Sequence, residues 1–482
     1  MKAGKILSIL GAFLFFIGLL MILPLSWSLF CGDPDVEAFG IAILAVCAFG
    51  GILYFVTRSA EEITLSHREG FLIVAAAWFL AAAAGSLPYM IAGVLPGFTD
   101  AFFESASGFT TTGATVLTGL DGMPHGILLW RSMTQWLGGM GIIILSIAIL
   151  PLLGVGGMQL YKAEMPSPVK DKLTPRITET ARTLWIVYVI LSTAEFILLL
   201  FGGLEPFEAL CHTFTTMATG GFSTHDASVA YFQSPYVQTV ITLFMIVAGV
   251  NFTLHHSLLL GDFKTVLRNS ELRFYLGVLL AGTLLVTYDL WHTVFDRILV
   301  SFRYAAFQVV SITTTTGFVT DNYERWPGLS RFLLLLLFFV GGSAGSTGGS
   351  IKCLRILLIL KHSAVELYRL VHPHAVTAVK LGKQIVAPET MASVWGFFIL
   401  YLGLTVTATV LLLLLGLDPL TSFSATASTI ANVGPAFGLA NPSSTYAGFP
   451  CPAKWILSFC MIAGRLEIYT IMVLLTPEFW KK

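Results

Sequence analysis

Ten runs of apolar residues set the frame of the chain, at 6–30, 38–56, 71–94, 127–153, 183–201, 237–260, 274–290, 332–360, 391–415 and 455–475. A bilayer core about 30 Å thick takes about 20 helical residues to cross, so these runs predict ten spanning helices. Helices are the only choice for single spans, because lipid offers no partner to an open sheet edge. Between some of them lie shorter apolar stretches that end in Thr/Gly clusters and are too short to cross.

Those clusters repeat. Aligned on one glycine they read ESASGFTTTG to Gly113, CHTFTTMATG to Gly220, QVVSITTTTG to Gly317 and ATASTIANVG to Gly434, spaced by about 100 residues. Each falls between a helix leaving for one face and a helix returning, so all four enter the membrane from the same side. Irregular backbone at membrane depth is tolerated only where protein buries it or water bathes it. The pattern therefore predicts an all-α polytopic membrane protein: four pseudo-symmetric helix, pore loop, helix repeats around a central pore, plus two additional amino-terminal helices. The units expected are 1–70 for the helix pair, then repeats at 71–160, 161–265, 266–385 and 386–482. Repetition in one orientation contrasts with the inverted repeats of many secondary transporters.

Composition agrees. Of 482 residues, 56% are hydrophobic and 11% charged, and the mean hydropathy is +0.82, which excludes an ordinary soluble domain. The first apolar run is longer than a signal-peptide core and no small-residue cleavage site follows it, so it is read as retained. The net charge is zero and argues for no nucleic-acid partner, but its distribution carries direction. With the amino terminus inside, 20 of the 27 Lys and Arg residues fall in internal segments, which places both termini in the cytoplasm.

Rings of backbone carbonyls can replace the water around a dehydrated monovalent cation. The candidate filter is Thr111, Thr112 and Gly113; Ala218, Thr219 and Gly220; Thr315, Thr316 and Gly317; Asn432, Val433 and Gly434. Ala218 and Val433 have no side-chain oxygen, so backbone coordination is the common element. Thr313 and Thr314 are expected to finish the pore helix that presents the third triplet.

Two features point to gating. Gly341, Gly342, Ser343, Ala344, Gly345, Ser346, Thr347, Gly348 and Gly349 interrupt the eighth apolar run. Each helical glycine costs about 1 kcal/mol relative to alanine. Close helix packing is one reading of so many small residues; a break that forms an irregular loop beneath the filter is the one favoured here. Arg465 lies about 20 Å into the last helix, counted from Pro452 at 1.5 Å per residue. A charge at that depth reads as functional, here as a barrier to cations on the inner side of the filter. Glu467, two positions on, is expected to face elsewhere on that helix.

The remaining chemistry is sparse. Six cysteines show no CxxC and no metal-ligand spacing, so no transition-metal site is expected, and Cys31 with Cys451 is a conceivable but disfavoured disulfide. His255, His256, His372 and His374 are read as satisfied or solvated. No Ser-His-Asp set, HExxH, GxGxxG or GxxxxGK[ST] motif appears, which speaks against an enzyme and against nucleotide binding by this chain itself.

SGFTTTGAT, MATGGFST, ITTTTGF, ANVGPAFG, WLGGMGIIIL, AEMPSPVKDKLTPRI, GGSAGSTGGSIK and GRLE together make the chain resemble, over nearly its whole length, the Trk/Ktr/HKT superfamily of potassium transporters. Within it, the added amino-terminal pair of spans is similar to the TrkH type. The resemblance implies potassium uptake across a bacterial inner membrane, a potassium filter at the four triplets, an intramembrane gating loop at 341–349 and an obstructing Arg465. It also implies a homodimer, no cofactor in this chain, and control by a cytosolic TrkA-type subunit that binds NAD or ATP/ADP. Glycine in all four loops goes with potassium preference in that superfamily. An ion-coupled symporter driven by protons or sodium is the rival within transport. A non-conducting structural or sensory subunit is the rival outside it.

Overall fold

The computed structural model describes residues 3–58, 66–148, 173–291, 293–382 and 384–481, and its regular structure is almost entirely helical. Most of the basic loop motif at 163–177 lies outside those residues, as do Lys2, Lys383, Lys482 and the expected end of the run 127–153. Among the described residues, six helices are long and apolar enough to cross a membrane: Ala3–Cys31, Val36–Thr57, Arg68–Ile91, Glu179–Phe201, Ser270–Trp291 and Pro388–Leu414. Their outward side chains, such as Phe30, Leu44 and Phe55, are exposed and apolar, as suits a surface solvated by lipid tails.

The first two spans form a hairpin at the amino end. A methyl group on Gly11 would stand 2.6 Å from the Tyr54 nitrogen, and one on Gly50 would stand 2.6 Å from that of Phe15. The helices therefore touch backbone to backbone, an approach only small residues allow.

Each of the four repeats then sends in a pore helix: Phe98–Phe109, Pro206–Met217, Ile298–Thr313 and Pro419–Ala431. Local chemistry sets where they start. Asp418 accepts from the Thr421 N–H at 3.0 Å, and Pro419 and Pro206 open their helices, where a missing N–H costs nothing. Their buried faces are rich in Ser and Thr, including Thr215, Thr216, Ser424 and Thr429. The threonine hydroxyls return to their own helix, Thr215 donating to the Cys211 carbonyl at 3.1 Å and Thr429 to that of Ala425 at 2.8 Å, while Ser424 donates to the Phe437 carbonyl of the loop beyond its helix at 3.2 Å. A polar interior inside an apolar shell results, and the helices stay wound.

The second helix of three repeats is broken, which corrects the uninterrupted spans expected at 237–260 and 455–475. In the second repeat, Pro235–Ala248 and Phe252–Leu259 meet at 101°, where Asn251 caps the new helix by accepting from the Thr253 N–H at 2.8 Å. In the third, helix ends at Leu337 and resumes at Cys353, so the small-residue stretch does interrupt its helix. In the fourth, Cys451–Arg465 gives way to Tyr469–Leu474, with Glu467 and Ile468 both at positive φ. Glycine and asparagine at the first break, and the glycine-rich run at the second, are legible causes. For the third break the local sequence offers no glycine or proline at the turn itself.

Candidate ion pathway

The four pore helices end in the same turn. Thr111, Thr219, Thr315 and Asn432 all adopt left-handed backbone, with φ of 53°, 53°, 62° and 57°. Two residues later the chain is again at positive φ, at Gly113, Gly221, Gly317 and Gly434. The residue between them always donates its N–H to a carbonyl five positions back: Thr112 to Ser107, Gly220 to Thr215, Thr316 to Ser311, Val433 to Ser428, all at 2.8 to 2.9 Å.

This register corrects the second loop. Aligning on the first glycine of MATGG puts Gly220 opposite Gly113, but the backbone puts Gly221 there. Ala218 is the cap of its helix, not the first member of the triplet, and the equivalent triplet is Thr219, Gly220 and Gly221. A doubled glycine hides the register from sequence, because either one satisfies the alignment. The expectation for the third loop stands: its pore helix ends at Thr313 and Thr314 caps it.

The loops close on one another in a ring. A methyl group on Gly113 would lie 2.2 Å from the Gly220 carbonyl oxygen, and one on Gly221 1.9 Å from that of Thr316. On Gly317 it would lie 1.9 Å from the Val433 oxygen, and on Gly434 2.5 Å from the Thr112 oxygen. Each repeat thus leaves room only for hydrogen against the next, and the fourth returns to the first. That cycle is the pseudo-fourfold axis expressed in atoms.

Side chains brace it. Gln135 donates to the Gly220 carbonyl at 2.7 Å and accepts from the Phe222 N–H at 3.0 Å. Asn432 donates to the Thr112 hydroxyl at 2.9 Å, and the Tyr446 hydroxyl donates to the Gly434 carbonyl at 2.8 Å. Behind the first loop Arg131 and Glu104 form a buried pair at 2.9 Å, exposed by 1% and 0% at their side chains. Arg131 also donates to the Ser223 carbonyl at 3.0 Å, and Glu104 accepts from the Val116 N–H at 2.9 Å. Removing one member of such a pair costs about 3 to 5 kcal/mol, because the other charge stays buried.

The stretch 341–349 lies against this assembly. Gly349 donates to the Thr315 hydroxyl at 2.8 Å, and Thr347 shares its hydroxyl proton between the Met217 and Ala248 carbonyls at 3.1 and 3.2 Å. Gly348 packs by the Thr314 carbonyl and Gly349 by that of Ala431. Its far side docks on the bend of the second repeat: Ser343 donates to the Gly249 carbonyl at 2.8 Å, and Gly345 accepts from the Phe252 N–H at 3.1 Å. Glu271 accepts from the Ala344 N–H at 2.6 Å, Ser346 donates to the Ser343 carbonyl at 2.6 Å, and Cys353 donates its N–H to the Gly342 carbonyl at 2.9 Å and its thiol to that of Gly341 at 3.2 Å.

Arg465 completes the contact. Buried, it donates to the Thr347 carbonyl at 2.6 Å and to the Gly138 carbonyl at 3.1 Å, so it joins the loop to the first repeat. Glu467 does face elsewhere: it pairs with Lys352 and with Arg355, the latter at 2.6 Å. Sequence reading missed Gln135, Glu104, Arg131, Glu271 and the Lys352–Arg355–Glu467 cluster. Polar and ionisable residues inside or beside apolar runs were the signal that could have found them.

Four pore helices ending in a closed ring, with a break and a buried arginine beside it, define a membrane transport protein of the pore-loop kind. The chain belongs to the TrkH family, described as cation transport proteins, whose family model matches residues 36–482. It is 47% identical over 467 residues to the Trk system potassium uptake protein TrkH of Salmonella typhimurium strain LT2, covering 96% of both chains. It is 38% identical over 474 residues to TrkG of Escherichia coli K12, a Trk system potassium uptake protein, covering 98% of this chain and 97% of that one. The crystal structure of the potassium transporter TrkH from Vibrio parahaemolyticus superposes with a TM-score of 0.93 at 39% identity, covering the whole of both chains. The family is one of transporters, not enzymes.

Above the ring, His225 in the second outer loop bonds through Nδ1 to Asp121 and through Nε2 to Glu208 at 2.7 Å, and stacks on Tyr231. Burial pulls its imidazolium down, but the hydrogen bonds to Glu208 and Asp121 outweigh that and hold its pKa above the ordinary value. Because the folded pKa is the higher one, the bridge stabilises fully below the unfolded value near about 6.5 and is lost as pH rises through the folded pKa. Between about pH 6 and about pH 9 the melting temperature of purified protein should fall more steeply than that of His225→Gln; parallel curves would remove His225 from the pH dependence.

The register generates a second prediction. Gly221→Ala sets a methyl against the fixed Thr316 backbone, and the positive φ alone adds about 1 to 3 kcal/mol of strain, whereas Gly220→Ala, outside the left-handed region, displaces only the side-chain amide of Gln135 from its two hydrogen bonds. Ion discrimination in proteoliposomes should suffer more from Gly221→Ala, and the reverse order would restore the Gly220 alignment.

Proposed function

We propose that the chain takes up potassium ions through the ring of four loops, acting as a filter built from Thr111 to Gly113, Thr219 to Gly221, Thr315 to Gly317 and Asn432 to Gly434. One observation carries the reading: the four-way glycine and carbonyl closure, which sets backbone oxygens of four repeats at fixed spacing. Potassium is named by the relatives and by the solved structure, all of them potassium uptake proteins or transporters. The Thr111 hydroxyl and the Asn432 Oδ1 are buried without a protein partner, and buried oxygens of that kind bind water or an ion.

Residues 341–349 and Arg465 act as the gate, the loop by filling the space under the third and fourth pore helices and the arginine by repelling cations. The loop opens when its hydrogen bonds to Gly249, Glu271 and Thr315 exchange for water. The signal comes from a cytosolic TrkA-type subunit carrying NAD or ATP/ADP, the working unit is a homodimer in a bacterial inner membrane, and both termini face the cytoplasm. The relatives' own description as part of a Trk system supports a further component. A coupled mechanism has one observation in its favour: Glu195, an acid fully buried in the span Glu179–Phe201 beside Thr216. Potassium flux that vanishes without a proton or sodium gradient would select it.

Protein reconstituted in liposomes should pass potassium and rubidium in preference to sodium and lithium. Absence of potassium flux, with and without the nucleotide-binding partner, would overturn the reading. Arg465→Ala should raise basal flux by about tenfold, the equivalent of 1.4 kcal/mol off the barrier. Unchanged or lower flux in a variant that still elutes and melts like the parent would remove the barrier role.

A further inference from the structure

On the same side of the molecule as the outer loops, three residues of different chemistry come together across 92 positions of sequence. Cys31 ends the helix Ile22–Cys31, Gly32 turns the chain at φ 74°, and Asp33 follows. His125 opens the helix His125–Ala148 of the first pore repeat. The Cys31 sulfur, an Asp33 oxygen and a His125 ring nitrogen all lie within 4.8 Å of one another.

The site is built on both sides. Asp33 accepts from the His125 backbone N–H at 2.8 Å, and its Oδ2 stands 3.0 Å from His125 Nδ1. Asp35 holds the next turn by accepting from the Ile127 N–H at 3.1 Å, while its other oxygen is buried with no hydrogen-bond partner. The His125 ring is fixed edge-on to Phe207 at 4.8 Å between centroids, and Trp27 packs on the same Phe207 at 5.5 Å. Cys31 is a free, exposed thiol.

We propose that Cys31, Asp33 and His125 bind a borderline-soft divalent transition metal, of which zinc is the type, and so clamp the amino-terminal hairpin to the first pore repeat. Thiolate, imidazole and carboxylate together suit zinc or cobalt and disfavour potassium, magnesium and calcium. Ligand atoms around tetrahedral zinc sit about 3.5 Å apart with bonds of about 2.0 to 2.3 Å; Asp33 Oδ2 and His125 Nδ1 already stand 3.0 Å apart, so rotating the exposed Cys31 side chain closes the remaining gap. Three protein ligands leave a fourth position for water. Binding replaces the thiol proton by the metal and releases it to solvent; the imidazole proton that faces Asp33 on Nδ1 leaves to solvent as the metal takes its place, and the neutral ring carries its proton on Nε2. The Cys31 thiolate and the Asp33 carboxylate together offset the cation's two charges. Phe207 lies in the second pore helix, so the clamp abuts two repeats.

The test uses full-length, tag-free protein in detergent. Cobalt should bind at one equivalent per chain with a sulfur-to-metal charge-transfer band, and Cys31→Ser and His125→Gln should each abolish that band. Cobalt uptake without the band, or a band that survives both substitutions, would mean binding elsewhere and overturn the proposal. Parent protein supplies an assay that no misfolded variant can spoil. Zinc should slow maleimide labelling of Cys31 by about tenfold and leave the other exposed cysteine, Cys451, unchanged. Labelling of Cys31 that ignores zinc would overturn the proposal as well.

Discussion

The fourfold contact of a glycine with the next repeat's carbonyl is the constraint on which everything else rests. Four backbone turns from segments separated by about 100 residues meet with no room for a methyl group. Such a joint cannot be adjusted one member at a time, because displacing one loop moves the carbonyl against which its neighbour is seated. Its support is correspondingly redundant. Outer loops are stitched in the same cyclic order: Asp226 holds the Gly119 and Leu120 N–H groups, Ala230 donates to Val319, Tyr323 to Ala436, and Tyr446 to Thr115. The ring is closed twice, once at the glycines and once above them.

Broken helices follow from the same architecture. At membrane depth every N–H and C=O must find a partner in the protein, and a nine-residue irregular segment brings many. Stretch 341–349 finds them because the second repeat's helix is bent at Gly249 to Asn251 and presents the Gly249 carbonyl and the Phe252 N–H sideways. Break and loop are complementary halves of one feature. An unbroken helix at 237–260 would pair the Gly249 carbonyl and the Phe252 N–H within itself and leave the Ser343 N–H and the Gly345 carbonyl without these partners.

Much of this was legible in sequence because it depends on local signals: length and hydropathy for the spans, Thr/Gly clusters for the loops, glycine density for the third-repeat break. Gly113, Gly317 and Gly434 were each identified by their own clusters. What escaped was relational. The register of the second loop turns on which of Gly220 and Gly221 faces Thr316, and only the neighbouring loop decides that. The bend at Gly249 exists to receive residues almost a hundred positions later. Glu104 with Arg131 joins two helices of one repeat, and Glu467 with Lys352 and Arg355 joins the fourth repeat to the third; periodicity reveals neither pairing. The grouping of Cys31, Asp33 and His125 escaped for the same reason, since metal-ligand spacing in sequence presupposes ligands close along the chain.

Charge placement around the break carries the last step. Lys352 and Arg355 end the irregular stretch and would add two positive charges beneath the ring, but Glu467 lies against both and is buried with them. The break after Arg465 makes this possible: with Glu467 at positive φ, its side chain leaves the helical path and reaches the third repeat. Arg465 is left with carbonyl partners, those of Thr347 and Gly138. Carbonyl oxygens lower the cost of burying a guanidinium without neutralising it. Four pore helices end at the ring, and a helix C-terminus carries about half a negative charge, which favours a cation there. An arginine held only by carbonyls can therefore sit beneath the ring, facing the negative ends of the four pore helices. Glu467 cancels one of the two positive charges of Lys352 and Arg355 and draws both side chains to itself.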